Sequence, residues 1–162
     1  MILIIGGVSG TGKSTIGQLL ANRLNLPFYD ADDFHPHANL LKMNKGIPLN
    51  DSDRQPWLET LSSQISVWAK DEGAVLACSA LKQSYRQTLS SQCRQQINWV
   101  MLNGSKQLLM QRLKNRKGHF FKPALLTSQL DTLELPEYGL VMDIAQQPEV
   151  IINQIVDSLN EK

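Results

Sequence analysis

Eight residues near the start constrain this chain more than anything else in it. Gly7-Val8-Ser9-Gly10-Thr11-Gly12-Lys13-Ser14 fits G-x-x-x-x-G-K-[ST] at each of its constrained positions, and Thr15 follows. The apolar run Ile2–Ile5 precedes the motif. Behind it Ile16, Leu20 and Leu24 share one face at helical spacing, with Leu19 beside them. A buried strand, a glycine loop and a helix start, in that order, are what phosphate cradling requires. Glycines let successive N–H groups converge on phosphate oxygens, and the helix N-terminus adds its positive dipole. In such a loop Gly7 to Thr15 bind the nucleotide, Lys13 reaches the β- and γ-phosphates, and the Ser14 hydroxyl ligates Mg²⁺. The pattern predicts a nucleoside triphosphate ligand.

The rest of the chain alternates short apolar runs with longer helical stretches. Candidate strands are Ile2–Ile5, Pro27–Tyr29, Ala74–Cys78, Ile97–Leu102 and Gly139–Val141. Trp57, Leu61, Ile65 and Trp68 form one helical stripe, with Asp53 near the start of that helix and Pro56 in its first turn. Leu108, Leu109 and Leu113 form another, and Ile151, Ile152, Ile155, Val156 and Leu159 a third after Pro148. Strands separated by helices predict a parallel sheet, doubly wound into an α/β sandwich. Ligands of such sheets bind beyond the carboxyl ends of the strands, here near Gly7, Asp30, Ser79 and Asn103.

Length and charge set limits. A chain of 162 residues without repeats or linkers predicts a single domain, 1–162. Sixteen basic against fifteen acidic residues leave a net charge of +1, which offers no long-range attraction for nucleic acid or an anionic membrane. Two cysteines without a CxxC pair, no membrane-length apolar run and no basic leader suit a cytoplasmic protein.

The acceptor side is written after the second and third strands. Asp30 and Asp32 alternate along an extended segment, so both project toward the crevice. One carboxylate there can support Mg²⁺, and the other can take a proton from an attacking hydroxyl. His35 follows as a candidate for substrate hydroxyls, or as a packing partner of Pro36. Arg54, at the start of the Trp57 helix, can fork onto a carboxylate or pair with Asp51 or Asp53. Ser79 stands at the mouth of the crevice, and Arg86, one turn beyond Lys82, is a second candidate carboxylate clamp. Trp57, Trp68, Tyr85 and Cys78 read as packing residues.

Arg112 to Lys122 is the densest basic stretch. Arg112 and Arg116 share a helical face, Gly118 interrupts it, and Phe120 and Phe121 follow. That combination suits a helical lid, approximately 112–123, closing over ATP. Arg116 then neutralises charge on the transferred phosphoryl, and Arg112 contacts adenine or phosphates. Four of the six arginines thereby fall at the crevice, which implies an anionic acceptor besides ATP.

These strings resemble the gluconokinase family of small P-loop carbohydrate kinases. The matching segments are GVSGTGKST (7–15), DADDFHP (30–36), KM (42–43), GIPLNDSDRQPWL (46–58), CSALKQSYR (78–86) and RLKNRKGHFFKPALLTSQLDTLELP (112–136). The resemblance implies transfer of the γ-phosphoryl of ATP to the 6-hydroxyl of D-gluconate. It implies Asp32 as base and hydroxyl partner, and Asp30 as support for Mg²⁺. Arg54 and Arg86 would hold the carboxylate or nearby hydroxyls, with His35, Ser79 and His119 as further pocket residues. It also implies a five-stranded parallel sheet in the order 2-3-1-4-5 and, in many members, a homodimer. Three departures stand out: His37-Ala38 where the family commonly has basic residues, a short segment Leu135–Asp143, and no third lid arginine after Arg116. Two alternatives stay open: a related kinase for shikimate or another sugar acid, and a nucleotide-binding regulator without catalysis. CSAL in place of a glycine run, and the string PLNDSDR, stand against shikimate.

Overall fold

The computed structural model describes residues 1–116 and 123–162. Five strands form one parallel sheet: β1 (Ile2–Gly6), β2 (Phe28–Asp30), β3 (Ala74–Ala77), β4 (Ile97–Asn103) and β5 (Leu140–Asp143), in the order β2-β3-β1-β4-β5. Every residue of β1 and β3 is buried. That is why they read as unbroken apolar runs: a parallel strand covered on both faces has no polar side.

The helices are α1 (Lys13–Leu24), α2 (His37–Asn44), α3 (Asp51–Lys70), α4 (Gln83–Ser90), α5 (Lys106–Lys114), α6 (Pro123–Thr132) and α7 (Pro148–Asn160). Helices α1 and α3 both rest on β1 and β3, yet α1 packs beside α7 while α3 packs beside α4. They therefore cover opposite faces, giving the expected three layers. An exposed Arg23–Glu149 ion pair of 2.8 Å ties α1 to α7.

Helix α3 carries the predicted stripe: Trp57, Leu61, Ile65 and Trp68 are all buried. Its start differs from expectation. Asn50 is the N-cap, and Asp53 closes a reciprocal capping box with it from the third helical position. The helix begins at Asp51, so Pro56 falls in its second turn. Leu19 is 40% exposed rather than on the buried face of α1. Helices α2, α4 and α6 are not signalled by the apolar spacing. The first two have eight residues each, too short to be stable alone, and are held by tertiary contacts that a local pattern does not display.

Strand β5 enters the sheet through Gly139, whose φ is +73°. A Cβ there would stand 2.5 Å from the Trp99 carbonyl oxygen. Gly139→Ala is expected to destabilise the fold by about 1–3 kcal/mol. Thermal unfolding should show it as a fall of about 2–4 °C in Tm per kcal/mol.

Candidate active site

A crevice of about 450 Å³ opens at the carboxyl ends of the strands, where the topology predicts a ligand. Its floor is the phosphate loop. Gly7, with φ +138°, lets the chain leave β1 against the Leu102 carbonyl, which a Cβ would approach to 2.6 Å. Its N–H donates to the Ser79 carbonyl at 3.1 Å. The buried Thr11 hydroxyl donates to the Val8 carbonyl at 2.8 Å, and Lys13 Nζ donates to the same carbonyl at 3.0 Å. Val8 itself is a core side chain, 2% exposed, so its part in the loop is played by its backbone. Ser9, Gly10, Gly12, Lys13, Ser14 and Thr15 all line the crevice. Burial lowers the Lys13 pKa, and Asp32 opposes that shift.

The Ser14 hydroxyl donates to Asp30 Oδ2 at 3.1 Å. Two hard oxygen donors at the phosphate side of the crevice suit Mg²⁺, which takes one or two protein oxygens and keeps several waters. Among the described residues no cluster of three or more His, Cys, Asp or Glu could enclose a metal.

Asp30 and Asp32 both line the crevice, but not as alternating residues of a strand. Strand β2 ends at Asp30, and Ala31–Phe34 form a 3₁₀ turn. Asp30 caps that turn by accepting the Asp32 N–H at 2.9 Å. Two tryptophans of α3 hold it from behind. Trp57 Nε1 donates to the Ala31 carbonyl at 2.7 Å. Trp68 stacks on Tyr29 with 4.1 Å between centroids and meets Phe34 edge-on. Asp32 opens onto the crevice, yet its pKa is raised, first by desolvation between the crevice walls and then by Asp30. His35 stacks on Trp57 at 4.1 Å, and burial pushes its pKa down to about 4. The tryptophans are packing residues as expected, and their packing sets the wall that carries Asp32 and His35.

Arg54 lines the crevice and pairs with neither Asp51 nor Asp53. Its Nη1 donates to the Tyr85 hydroxyl at 3.1 Å, and its guanidinium lies over the Tyr85 ring at 5.3 Å. The Tyr85 hydroxyl donates in turn to Asp51, which holds that carboxyl below its ordinary range. Burial, followed by Asp51, pushes the Tyr85 phenol up to about 12. Tyr85 therefore packs and also carries Arg54. Asp53 instead takes Lys42 at 2.8 Å.

Arg86 is not at the crevice. It is 2% exposed, and its guanidinium donates to the carbonyls of Ala80 (2.7 Å) and Glu134 (2.8 Å) and to the Tyr138 hydroxyl (3.0 Å). Further bonds reach the Leu81 carbonyl and Gln83 Oε1. With its donors committed, it cannot clamp a substrate carboxylate. It fastens the segment after α6 to the loop after β3, where Glu134 also donates from its N–H to the Leu81 carbonyl at 2.7 Å. That loop holds Ala80 at φ 44°, a conformation rare for a residue with a Cβ, and the bond to its carbonyl keeps it there.

Arg112 and Arg116 line the opposite wall, and Arg112 Nη2 donates to the Ile144 carbonyl at 2.7 Å. Helix α5 ends at Lys114. His119 and the centre of the expected lid fall at 117–122, outside the described residues. Ser79 lines the crevice as expected. Gln129 of α6, which no motif marks, also lines the crevice: its Oε1 accepts the Ser9 N–H at 2.7 Å, joining α6 to the phosphate loop. No local signal points to a contact that spans 120 residues of sequence.

Comparison with known proteins decides among the small P-loop kinases. Residues 9–159 match the shikimate kinase family model. The thermoresistant gluconokinase of Escherichia coli K12 is 36% identical, covering 99% of this chain and 94% of that protein. The probable gluconokinase of Dictyostelium discoideum is 44% identical, over 98% of this chain and 86% of its own. The chain belongs to the gluconokinase family. The crystal structure of a gluconokinase from Sinorhizobium meliloti 1021 superposes with a TM-score of 0.90 at 38% identity, covering 98% of this chain and 91% of that one. The family membership agrees with the crevice: a kinase phosphate loop faces an acidic turn and a placed arginine.

Replacing Arg86 tests its corrected role. Arg86→Ala leaves several buried carbonyls without a donor and should cost about 3 kcal/mol or more, since each such loss is worth about 1–3 kcal/mol. Chemical denaturation measures it. Unchanged stability with a raised acceptor KM would return Arg86 to the substrate.

Proposed function

We propose that this protein transfers the γ-phosphoryl group of ATP to the 6-hydroxyl of D-gluconate, giving 6-phospho-D-gluconate. The observation that carries this reading is the shared crevice of the phosphate loop, the Asp32 carboxylate and the Arg54 guanidinium. A sugar acid has a primary hydroxyl at one end and a carboxylate at the other, and those two protein groups complement it.

In this reading Asp32 takes the proton from the 6-hydroxyl as its oxygen approaches the γ-phosphorus. Lys13 and the loop amides hold the phosphates, and Arg116 offsets the charge that develops on the transferred group. Arg112 contacts the nucleotide from the far wall. Arg54, kept rigid by Tyr85 and Asp51, receives the carboxylate, with His35 and Ser79 at the hydroxyls between. Ser14 and Asp30 would hold Mg²⁺, which when bound draws charge from the phosphate oxygens. The same reading carries a cytoplasmic location and delivery of product to the pentose phosphate or Entner–Doudoroff routes.

ADP release from Mg-ATP, measured with gluconate, glucose and shikimate, tests the acceptor. Turnover on gluconate and little on the others is expected; turnover on shikimate in preference would overturn the assignment. Asp32 must be ionised to take a proton. Its pKa is raised above the ordinary 3.8, so kcat/KM should climb with pH through an apparent pKa above that value, then level. Asp32→Asn should remove that limb and lower kcat by about 10²–10⁴-fold while ATP still binds.

A further inference from the structure

Asn39 is 3% exposed, a buried polar residue of α2 that does not reach the crevice. Its side-chain nitrogen donates to the backbone carbonyl of Asp53 at 2.8 Å and lies 3.2 Å from Nδ1 of His35. A carbonyl oxygen can only accept, so the nitrogen end of the amide must face Asp53, and with it His35. Nδ1 of His35 thus meets a donor and is the bare ring nitrogen. The proton of the neutral ring lies on Nε2. Stacking on Trp57, with 11° between the planes, keeps the ring from turning.

Nε2 stands 3.9 Å from Asp32 Oδ1. That is beyond a hydrogen bond, and it lets one oxygen sit within reach of both atoms. We propose that Asn39 is a positioning residue that fixes His35 as an Nε2–H donor, so that His35 and Asp32 together grip one substrate hydroxyl as donor and acceptor. The proposal rests on the kinase reading above only for which hydroxyl is gripped. A site of this kind selects polyhydroxy acceptors, because an acceptor lacking that hydroxyl leaves a buried donor unpaired.

The surroundings keep the ring neutral. Burial and Arg54 of α3 oppose its protonation, Asp30 at the end of β2 favours it, and Asp32 lies at 3.9 Å in the same turn. Trp57 of α3 and Asn39 of α2 add no charge. Burial prevails, so the tautomer persists across the neutral range.

Long-range ¹H–¹⁵N correlation on the labelled full chain reads the tautomer directly, with His35→Gln to assign the signals. The expected spectrum has the His35 proton on Nε2, a bare Nδ1, and no titration between about pH 5.5 and about pH 8. A proton on Nδ1, or a titration near 6.5, would overturn the proposal. No substrate is present in that experiment, so its failure is distinct from failure on gluconate. Asn39→Asp puts a carboxylate where the donor was. The proton should move to Nδ1, the ring pKa should rise, and acceptor KM should increase by about tenfold or more, the effect of losing a positioned hydrogen bond of about 1.4 kcal/mol. The increase should itself become pH-dependent as the ring charges. A folded variant with an unmoved tautomer and an unchanged acceptor KM would contradict the proposal. If that variant does not fold, the wild-type spectrum still decides.

Discussion

The indole of Trp57 is the contact on which the Asp32 wall of the crevice depends. Its N–H fixes the Ala31 carbonyl, and its ring face fixes His35. A 3₁₀ turn of four residues has little stability of its own. Held from behind by Trp57 and Trp68, it presents Asp32 to the crevice at a set position. Both tryptophans belong to α3, whose apolar stripe packs on β1 and β3. The core that folds the protein is thereby the frame that aims its carboxylate. A near-attack geometry needs such rigidity, because small displacements at the reacting atoms are costly in rate.

Charge is placed with similar economy. In a chain of net charge +1, the arginines divide by environment rather than by sequence neighbourhood. Arg54 is exposed to the crevice and braced by Tyr85, which leaves part of its fork for a ligand. Arg86 is surrounded by carbonyl oxygens and leaves nothing. Its service is to pin the strap at Glu134, and so the far end of α6, to the loop after β3. The near side of α6 reaches the phosphate loop through Gln129 and Ser9. Helix α6 is thus tied to the phosphate loop and to the loop after β3 at once.

Much of this was legible in the sequence, and the pattern of what was not has a physical cause. The phosphate loop and the inner strands β1 and β3 are readable because each is fixed by local chemistry: glycines at a turn, and unbroken apolar runs where both sheet faces are covered. The α3 stripe was readable because its period is that of the helix. The spacing of Arg86 from Lys82 gives a helical phase but not which way that phase faces, and the fold turns it inward. Tyr85 and Leu89, buried beside it, were the available signal that it turns inward. Asp32 reaches the crevice from a capped turn rather than a strand end, and either backbone can deliver the same side chain. Asn39, Tyr85 and Gln129 act through partners that are distant in sequence or indistinguishable from ordinary polar residues. Only the fold brings those partners together.

The destination of the phosphoryl group separates this chemistry from that of P-loop kinases acting on other acceptors. Incubating the protein with Mg-ATP and carbon-13-labelled gluconate, then recording the carbon and phosphorus spectra of the product, tests it most directly. The expected product is a single phosphomonoester whose phosphorus couples to C6 and to its neighbour C5. A phosphate on another carbon, or ADP formed with no phosphorylated acid, would contradict it.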